Sequence, residues 1–514
     1  MERVERHPYD PDVGFDGGDL DCGNGLLLLI RRHIDPMQRG RLLEIRSTEA
    51  SVEEDLPAWC RLTGNQLVSW TRRGCERSFL ICKGSLSERA VIQPVERAQA
   101  GSAETTRVAS GRTIVPVSIP ASLPAPSPAP EIPPLAVMGV GSWPRPRWMT
   151  QAIHERLEGR LGEVEFEATA DDAVRLAVEA QLRAGVDAVT DGEQRRDSYA
   201  NFVGARLDNC QMIPLTDLLP LVDDPEKLAA EFRALDVPAS AVRHPAVLGP
   251  LGRSRPLAVH EIEFARTLTD KPVKVALPGP YVLGRIMWME CLSEKAYASR
   301  EALAEDIVRV LREEIHFLLA AGAALVQLDE PVLTEVVYGG TKHGPSFMCG
   351  ALSEKWDVER ELAFARDCIN RVVTGLPRAR TAVHVCRGNW TPDEEVALRG
   401  DYRPLVPLLR SLDVGTYLLE LCTPRAGETE VLRGLPDDRR IGVGVVNPKQ
   451  RRVETVEEIT ARARRAIDLF GAERVLLVPD CGFATFADNP VCSAGVAEDK
   501  LRAMAKVARG LRGG

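Results

Sequence analysis

The sequence lacks a hydrophobic run long enough to cross a lipid bilayer. The longest apolar stretch near its start, GLLLLI, is followed by RRH, whereas a spanning helix needs about 20 apolar residues. The N-terminus is polar and carries acidic residues, which does not fit a secretory leader. We therefore expect a cytoplasmic protein that has no membrane partner.

An excess of positive charge is also missing. The chain has 65 Lys and Arg against 74 Asp and Glu, which gives a formal net charge of −9. Proteins that bind nucleic acids usually carry a basic surface, so we expect no nucleic-acid partner. The chain has 12 cysteines, and its N-terminal residues do not predict a leader. In a reducing compartment such cysteines are more often buried thiols, metal ligands or redox groups than disulfides.

The chain does not have the uniform composition of a single domain. Its 514 residues are too many for one ordinary core. The stretch 96–134, which ends in SIPASLPAPSPAPEIPP, is rich in Pro, Ala and Ser and has little to bury. It therefore predicts an extended, semi-stiff linker. We place a small domain at 1–90, the linker at 91–134 and a large domain at 135–514.

The large domain alternates apolar β-like runs with stretches of helical periodicity, such as TADDAVRLAVEAQLRAG. Eight such units over roughly 375 residues predict an α/β fold of the (β/α)8 TIM-barrel type with insertions. A doubly wound open sheet is the alternative, but no Gly-rich phosphate fingerprint follows the first run. The eight runs are LAVMGVGS, GVDAVTDGE, PVKVALPGP, ALVQLDEP, RTAVHVCRG, GTYLLELCTP, RIGVGVVNP and RVLLVPDCG.

Several of these runs end in residues that bind metals, and in a barrel all strand C-termini meet at one face. His384 and Cys386 are two apart, so they point the same way on a strand. Cys481 ends the last run, and Glu420 ends the sixth with Cys422 as its rival. Such nitrogen, sulfur and oxygen donors suit tetrahedral zinc, which would ionise a bound substrate thiol. The alternative is that these cysteines are simply buried.

Segments of the large domain also occur in the order of a known family. In sequence they are GSWPRP, DGEQRRD, LPGPYVL, LVQLDEPVLTE, HVCRGNW, LLELCTPRAGE, GVGVVNPK and PDCGFATF. Over about 136–511 they resemble the catalytic barrel of cobalamin-independent methionine synthase and its shorter relatives. The resemblance implies methyl transfer to a zinc-bound thiolate, in most members that of homocysteine. The Zn²⁺ ligands that it implies are His384, Cys386, Glu420 and Cys481.

The same resemblance implies roles for four further residues. Ser142 and Glu193 match positions that hold the thiol amino acid, and Asp329 matches a carboxylate that pairs with its ammonium. Glu335 matches a residue near the methyl donor. An amino-acid ligand does need carboxylates for its ammonium and hydroxyl or backbone donors for its carboxylate. The alternative for each is a strand-end residue that caps the following helix.

One position departs from the large synthases. They have a histidine, placed as a general acid, after the seventh strand, whereas VVNPKQRRV puts Lys449 there. A lysine donates a proton at neutral pH when burial or nearby cations lower its pKa; alternatively it binds an anionic group of the substrate. The shorter relatives often carry this lysine, and they include epoxyalkane:coenzyme M transferases, which open an epoxide with a zinc thiolate. The sequence therefore does not fix the alkyl donor that reacts with the small thiol substrate: it is a methylated folate or another alkyl donor.

The small domain carries a second resemblance. Between about 13 and 84 its pattern predicts a βαβαββ two-layer sandwich, with EDLPAWCRLTGNQL as the most specific part. It resembles the TusA-type sulfur carriers, in which a cysteine at the start of the first helix holds a persulfide. Cys22 matches that cysteine, but Gly23 and Gly25 stand where the carriers have prolines.

Three alternatives remain, two for the role of the small domain and one for the whole chain. Cys22 could deliver carrier sulfur to the barrel, with sulfur-relay proteins as partners and a new C–S bond as the product. The domain could instead be a degenerate module that only docks. The whole chain could be an inactive sulfur-carrier or scaffold fusion, although the intact zinc ligands argue against this.

Overall fold

The structure, a computed structural model, forms two compact units, one made mainly of the described residues up to 89 and the other mainly of those from 117 onward. Each unit has its own buried apolar core. No helix of the described part of the chain is long and apolar enough to span a bilayer. The described residues are 4–20, 26–89, 117–214, 243–288, 296–339, 357–389, 392, 394 and 397–513.

The N-terminal unit is a four-stranded sheet with two main helices. In this sheet the first strand lies parallel to the second, and the fourth strand lies between the second and the third and is antiparallel to both. The elements follow one another in the order βαβαββ, with a short third helix after the last strand, and Cys60 is buried in the core. The resemblance to sulfur carriers stays a prediction. The elements are β1 (Val13–Asp16), α1 (Leu27–Ile34), β2 (Leu42–Ser47), α2 (Val52–Leu62), β3 (Gln66–Arg73), β4 (Glu76–Cys82) and α3 (Leu86–Arg89).

The last part of the predicted linker, 117–134, contains no helix or strand and lies against the large unit. The backbone N–H of Val117 donates to Ser254 O at 2.8 Å, and that of Ser127 donates to Leu319 O at 3.0 Å. Because Pro lacks an N–H and fixes φ, this stretch stays extended and its remaining polar groups bind the barrel. These residues therefore belong structurally to the barrel.

The large unit contains a parallel sheet of six strands in the order β12-β11-β10-β9-β8-β7. Two short segments close it, because Val137 pairs with Leu477 of the last strand, Met138 with Ala188, and Val189 with Val273, all in parallel. All eight predicted runs thus form one ring, the arrangement of a TIM barrel. The strands are β5 (Asp208–Pro214) and β6 (Arg243–Gly252), which pair outside the ring, then β7 (Lys274–Pro278), β8 (Leu325–Asp329), β9 (Thr381–Val385), β10 (Thr416–Leu419), β11 (Arg440–Val446) and β12 (Val475–Pro479).

Helices surround this ring and bury its outer face in the larger apolar core. Most helices follow a ring segment, as parallel strands require a crossover connection. The α-helices are α4 (Arg147–Leu157), α5 (Glu163–Ala184), α6 (Val259–Ala265), α7 (Pro280–Met287), α8 (Arg300–Ala320), α9 (Val332–Tyr338), α10 (Val358–Val373), α11 (Val406–Ser411), α12 (Val456–Phe470) and α13 (Ala494–Arg512). Short 3-10 helices are Asn201–Ala205, Arg378–Arg380, Arg403–Leu405, Pro424–Ala426 and Thr429–Gly434.

The inside of the ring is filled with apolar side chains at alternate positions of the segments. On β11 that place is taken by Gly442, where a Cβ would stand 2.2 Å from Leu418 Cδ2. Small residues on one strand thus leave room for large ones on the next, as in other barrels. The apolar side chains are Ala136, Met138, Val140, Ala188, Leu325, Ala382, Leu418, Leu476 and Val478.

The N-terminus of α12 carries a capping box that offers a test of the fold. Thr455 Oγ1 accepts from the Glu458 N–H at 3.2 Å, and Glu458 Oε2 accepts from the Thr455 N–H at 2.8 Å. We expect Thr455→Ala to lower the free energy of unfolding by about 1 kcal/mol, measured by urea titration followed by circular dichroism. Thr455→Ser keeps the hydroxyl and should match the wild type. An equal loss in both variants would contradict the assignment.

Candidate functional site

An imidazole and two thiols lie together where β9 and β12 end. The donor atoms of His384, Cys386 and Cys481 all lie within 4.8 Å of one another, and the two sulfurs are 3.8 Å apart. His384 and Cys386 share a face because they are two apart at the end of one strand. Cys481 joins them because ring closure brings the last strand to the same edge.

This cluster fits a tetrahedral zinc ion. Two sulfurs about 2.3 Å from such an ion stand about 3.8 Å from each other, and the sulfurs of Cys386 and Cys481 are 3.8 Å apart. His384 Nδ1 donates to Leu418 O at 3.0 Å, which leaves the lone pair on Nε2. That Nε2 is buried and has no hydrogen-bond partner among the described residues. A buried imidazole with one nitrogen fixed and the other free is typical of a metal ligand.

The two thiols have different acidities. The Cys481 thiol donates to Cys386 Sγ, and together with His384 it holds the pKa of Cys386 well below its usual value. The same contact, and burial, raise the pKa of Cys481. The pair therefore already contains one favoured thiolate, the form that binds metal.

Glu420, the fourth predicted ligand, lies outside this group of three. It follows β10 next to Cys386, and its carboxylate accepts from the backbone N–H of Arg387 at 2.7 Å and from Arg425 at 2.6 Å. The rival Cys422 is buried, and its backbone N–H donates to Asp480 Oδ1 at 2.8 Å. Glu420 is thus held beside the cluster, and its role as a ligand stays a prediction.

A cavity of about 50 Å³ opens beside the cluster, and the three donor residues line it. Ser142, Glu193 and Asp329, predicted from the sequence to hold an amino acid, line it as well. Asn389, which the prediction missed, also lies in its wall. Glu193 Oε2 and Asn389 Oδ1 are buried with no hydrogen-bond partner in the part of the chain described. Unpaired buried acceptors of this kind call for a ligand with donors.

The backbone around the cavity is tightly fitted. Glu193 adopts a left-handed conformation with φ of 54°, which is strained for a non-glycine residue. Its Oε1 occupies the space of a side chain at Gly141, where a Cβ would lie 2.1 Å away. Gly482 also lines the cavity and packs against Ser142, whose Oγ accepts from the Ala484 N–H at 3.2 Å. These contacts fix the two residues in the cavity wall.

Burial dominates the electrostatics of the cavity. It raises the pKa of Asp329 to about 7, with Glu193 adding to the rise and His384 opposing it. Burial also raises the pKa of Glu193, against the effect of Arg196 and Arg145. Carboxylates in such surroundings gain strongly from a cationic ligand.

Two further predicted residues, Lys449 and Glu335, are described but are not among the residues that line the cavity. Lys449 is buried after β11, and burial, together with Arg425, lowers its pKa. Glu335 is buried on α9. Cys22 lies outside the described residues, so its persulfide role stays a prediction.

The fold and the cluster define the class of the chain: an α/β barrel with a metal-type site at the carboxyl ends of its strands. A family model described as "Cobalamin-independent synthase, Catalytic domain" matches residues 135–220 and 228–509. The chain therefore belongs to this family, as the resemblance predicted.

Among its relatives is the methionine synthase of Sulfurisphaera tokodaii, 28% identical over 353 residues, which are 68% of this chain and 87% of the relative. That of Sulfolobus acidocaldarius is also 28% identical, over 68% of this chain and 86% of its own. A B12-independent methionine synthase from Shewanella sp. W3-18-1 has the same fold, with a TM-score of 0.55 and 24% identity over 74% of this chain and 98% of that one.

The close contact at Gly482 gives a test of the site's packing. A Cβ at Gly482 would stand 2.1 Å from Ser142 Oγ, whereas one at Gly139 would meet nothing within 4 Å. We expect Gly482→Ala to lower the free energy of unfolding by about 1–3 kcal/mol through overpacking. Gly139→Ala, the matched control on the same segment as Ser142, should change it by less than about 0.5 kcal/mol. Equal values from urea titration of the two variants would show that the contact is not tight.

Proposed function

We propose that this chain is a zinc-dependent methyltransferase that methylates the thiol of homocysteine. The observation that carries the proposal is the placement of His384, Cys386 and Cys481 in one cavity with Asp329 and Glu193. One wall offers soft donors for a metal, and the other offers carboxylates for an ammonium. A thiol amino acid presents both groups, and the related methionine synthases support homocysteine as the acceptor.

In this proposal His384, Cys386 and Cys481 hold the zinc, and Glu420 is its fourth ligand. When bound, zinc supplies the Lewis acidity that keeps a substrate thiol ionised at neutral pH. Glu420 is already fixed next to Cys386 by the Arg387 N–H. Arg425 forms an ion pair with the Glu420 carboxylate, which therefore has a second partner besides the Arg387 N–H.

The cavity residues orient the acceptor. Asp329 and the unpaired Oε2 of Glu193 receive the ammonium. Ser142 Oγ donates to the substrate carboxylate, because a hydroxyl that accepts from the Ala484 N–H still has its own proton to give. Three fixed groups hold the amino acid in one orientation, which lowers the entropic cost of bringing its sulfur to the methyl group.

Lys449 acts as the proton donor to the departing methyl donor. Burial and Arg425 lower its pKa, which moves the ammonium toward the acidity that proton donation at neutral pH requires. The methyl group passes to the sulfur, the bond from the methyl carbon to the donor breaks, and the donor atom takes the Lys449 proton. Glu335 on α9 is the residue that we assign to the donor side, and a methylated folate is the proposed donor.

Metal content tests the ligand assignment. Protein purified without chelators should hold about one zinc per chain, measured by plasma mass spectrometry. Cys386→Ala and Cys481→Ala should each lose most of it. Cys422→Ala removes another buried thiol from the same edge of the barrel and should keep it. Full zinc in Cys481→Ala, or its loss in Cys422→Ala, would contradict the assignment.

Methyl transfer itself is tested with homocysteine and a methylated folate, with methionine quantified by mass spectrometry. Asp329→Asn should raise the KM for homocysteine about tenfold or more, because one charge-assisted contact is lost, while the zinc content and the KM of the donor stay unchanged. Cys22→Ser should leave this activity intact. Absence of methionine, with consumption of an epoxide or of a sulfide source instead, would favour the alternative reactions.

A further inference from the structure

The inside of the barrel contains a fully buried lysine that the proposed mechanism does not use. Lys274 pairs with Leu325 in the register of β7 and β8, and Leu325 belongs to the apolar interior, so Lys274 points inward too. Burial lowers its pKa to about 7, while Asp329 and Glu193 oppose the change. A buried ammonium costs several kcal/mol unless it is paired and hydrogen-bonded.

Lys274 makes two hydrogen bonds, and both lead toward the cavity. Its Nζ donates to the backbone oxygen of Val140 and, at 2.5 Å, to Oε1 of Gln327. Val140 lines the cavity two residues before Ser142. The ammonium therefore connects the segment that carries Ser142 with the neighbour of Asp329 on β8.

This contact fixes the direction of the next hydrogen bond. Because the ammonium form of Lys274 can only donate, the amide oxygen of Gln327 faces it and the amide nitrogen faces the other way. That nitrogen donates to Asp329 Oδ1 at 2.5 Å. One oxygen of the Asp329 carboxylate thus accepts a hydrogen bond from Gln327. This contact holds the carboxylate at the cavity wall, where it can accept a hydrogen bond from the ligand.

We propose that Lys274 is a positioning residue for the acceptor: through Gln327 it orients Asp329 toward the substrate ammonium. The inference rests on the proposed function, since it takes the acceptor to be an amino acid with a thiol side chain. It also gives a reason for a lysine at a position where an apolar side chain would fill the barrel at a lower desolvation cost.

The test compares two thiols that differ in the group that Asp329 would bind. Homocysteine carries an ammonium, and 4-mercaptobutanoate has the same chain without it. With zinc-loaded full-length protein, Lys274→Met should weaken homocysteine binding about 10- to 100-fold, the range for losing one charge-assisted hydrogen bond. The analogue should change less than about twofold. Dissociation constants come from isothermal titration calorimetry.

A matched control is available in Lys500, the other fully buried lysine among the described residues. It pairs with Glu454 at 2.8 Å and does not line the cavity. Lys500→Met removes an equally buried ammonium, so it should leave the affinity for both thiols unchanged. If Lys274→Met does not fold, Gln327→Met breaks the same chain of hydrogen bonds and should give the same selective loss.

A double-mutant cycle completes the test. In an Asp329→Asn background the effect of Lys274→Met on homocysteine should fall below about threefold, since the residue through which it acts is already changed. Equal losses for both thiols, or a loss that persists in that background, would overturn the positioning role while wild-type binding upholds the proposed function. Failure of the wild type to bind homocysteine would overturn both.

Discussion

Closure of eight parallel segments into one ring is the constraint on which the rest of the structure depends. It turns a linear order of strands into a single edge where all their carboxyl ends meet. Residues as far apart as Ser142 and Cys481 become neighbours only because the first and last segments pair. These segments pair through the bridge between Val137 and Leu477 and through backbone hydrogen bonds that include Leu135 N–H to Val475 O and Leu477 N–H to Ala136 O. The surrounding helices and the shared apolar core support this closure.

The same edge concentrates charge in a place that water does not reach. Asp329, Glu193 and Lys274 are all buried within a few residues of the cavity, and each would be costly alone. The cost of burying them is reduced because their charges have opposite signs. It is reduced further because the Gln327 amide hydrogen-bonds to both Lys274 and Asp329. Under the proposed function, a ligand that lacks an ammonium would leave Oε2 of Glu193 without a hydrogen-bond donor.

Sequence patterns predicted much of this arrangement. The period of two in HVCRG placed His384 and Cys386 on one face, and the strand-end rule brought Cys481 to them. Local patterns did not reveal that Arg425 binds Glu420, because that contact depends on how a loop folds back. In the sequence Lys274 and Gln327 are polar residues within apolar runs, and nothing marks them as partners. Their contact depends on the register of two neighbouring strands, which the sequence does not give. The first two apolar runs of the large domain form only isolated β-bridges, where the sequence predicted strands. Hydrophobic periodicity does not distinguish an isolated bridge from a regular strand.

The hydrogen bond from His384 Nδ1 to Leu418 O also sets the proton stoichiometry of the cluster. With that proton held by a backbone carbonyl, the neutral imidazole would present the lone pair of Nε2 to a cation. The thiols are different, because each must be ionised to bind. Uptake of a metal would therefore release protons from the thiols, and its affinity would fall as the pH is lowered.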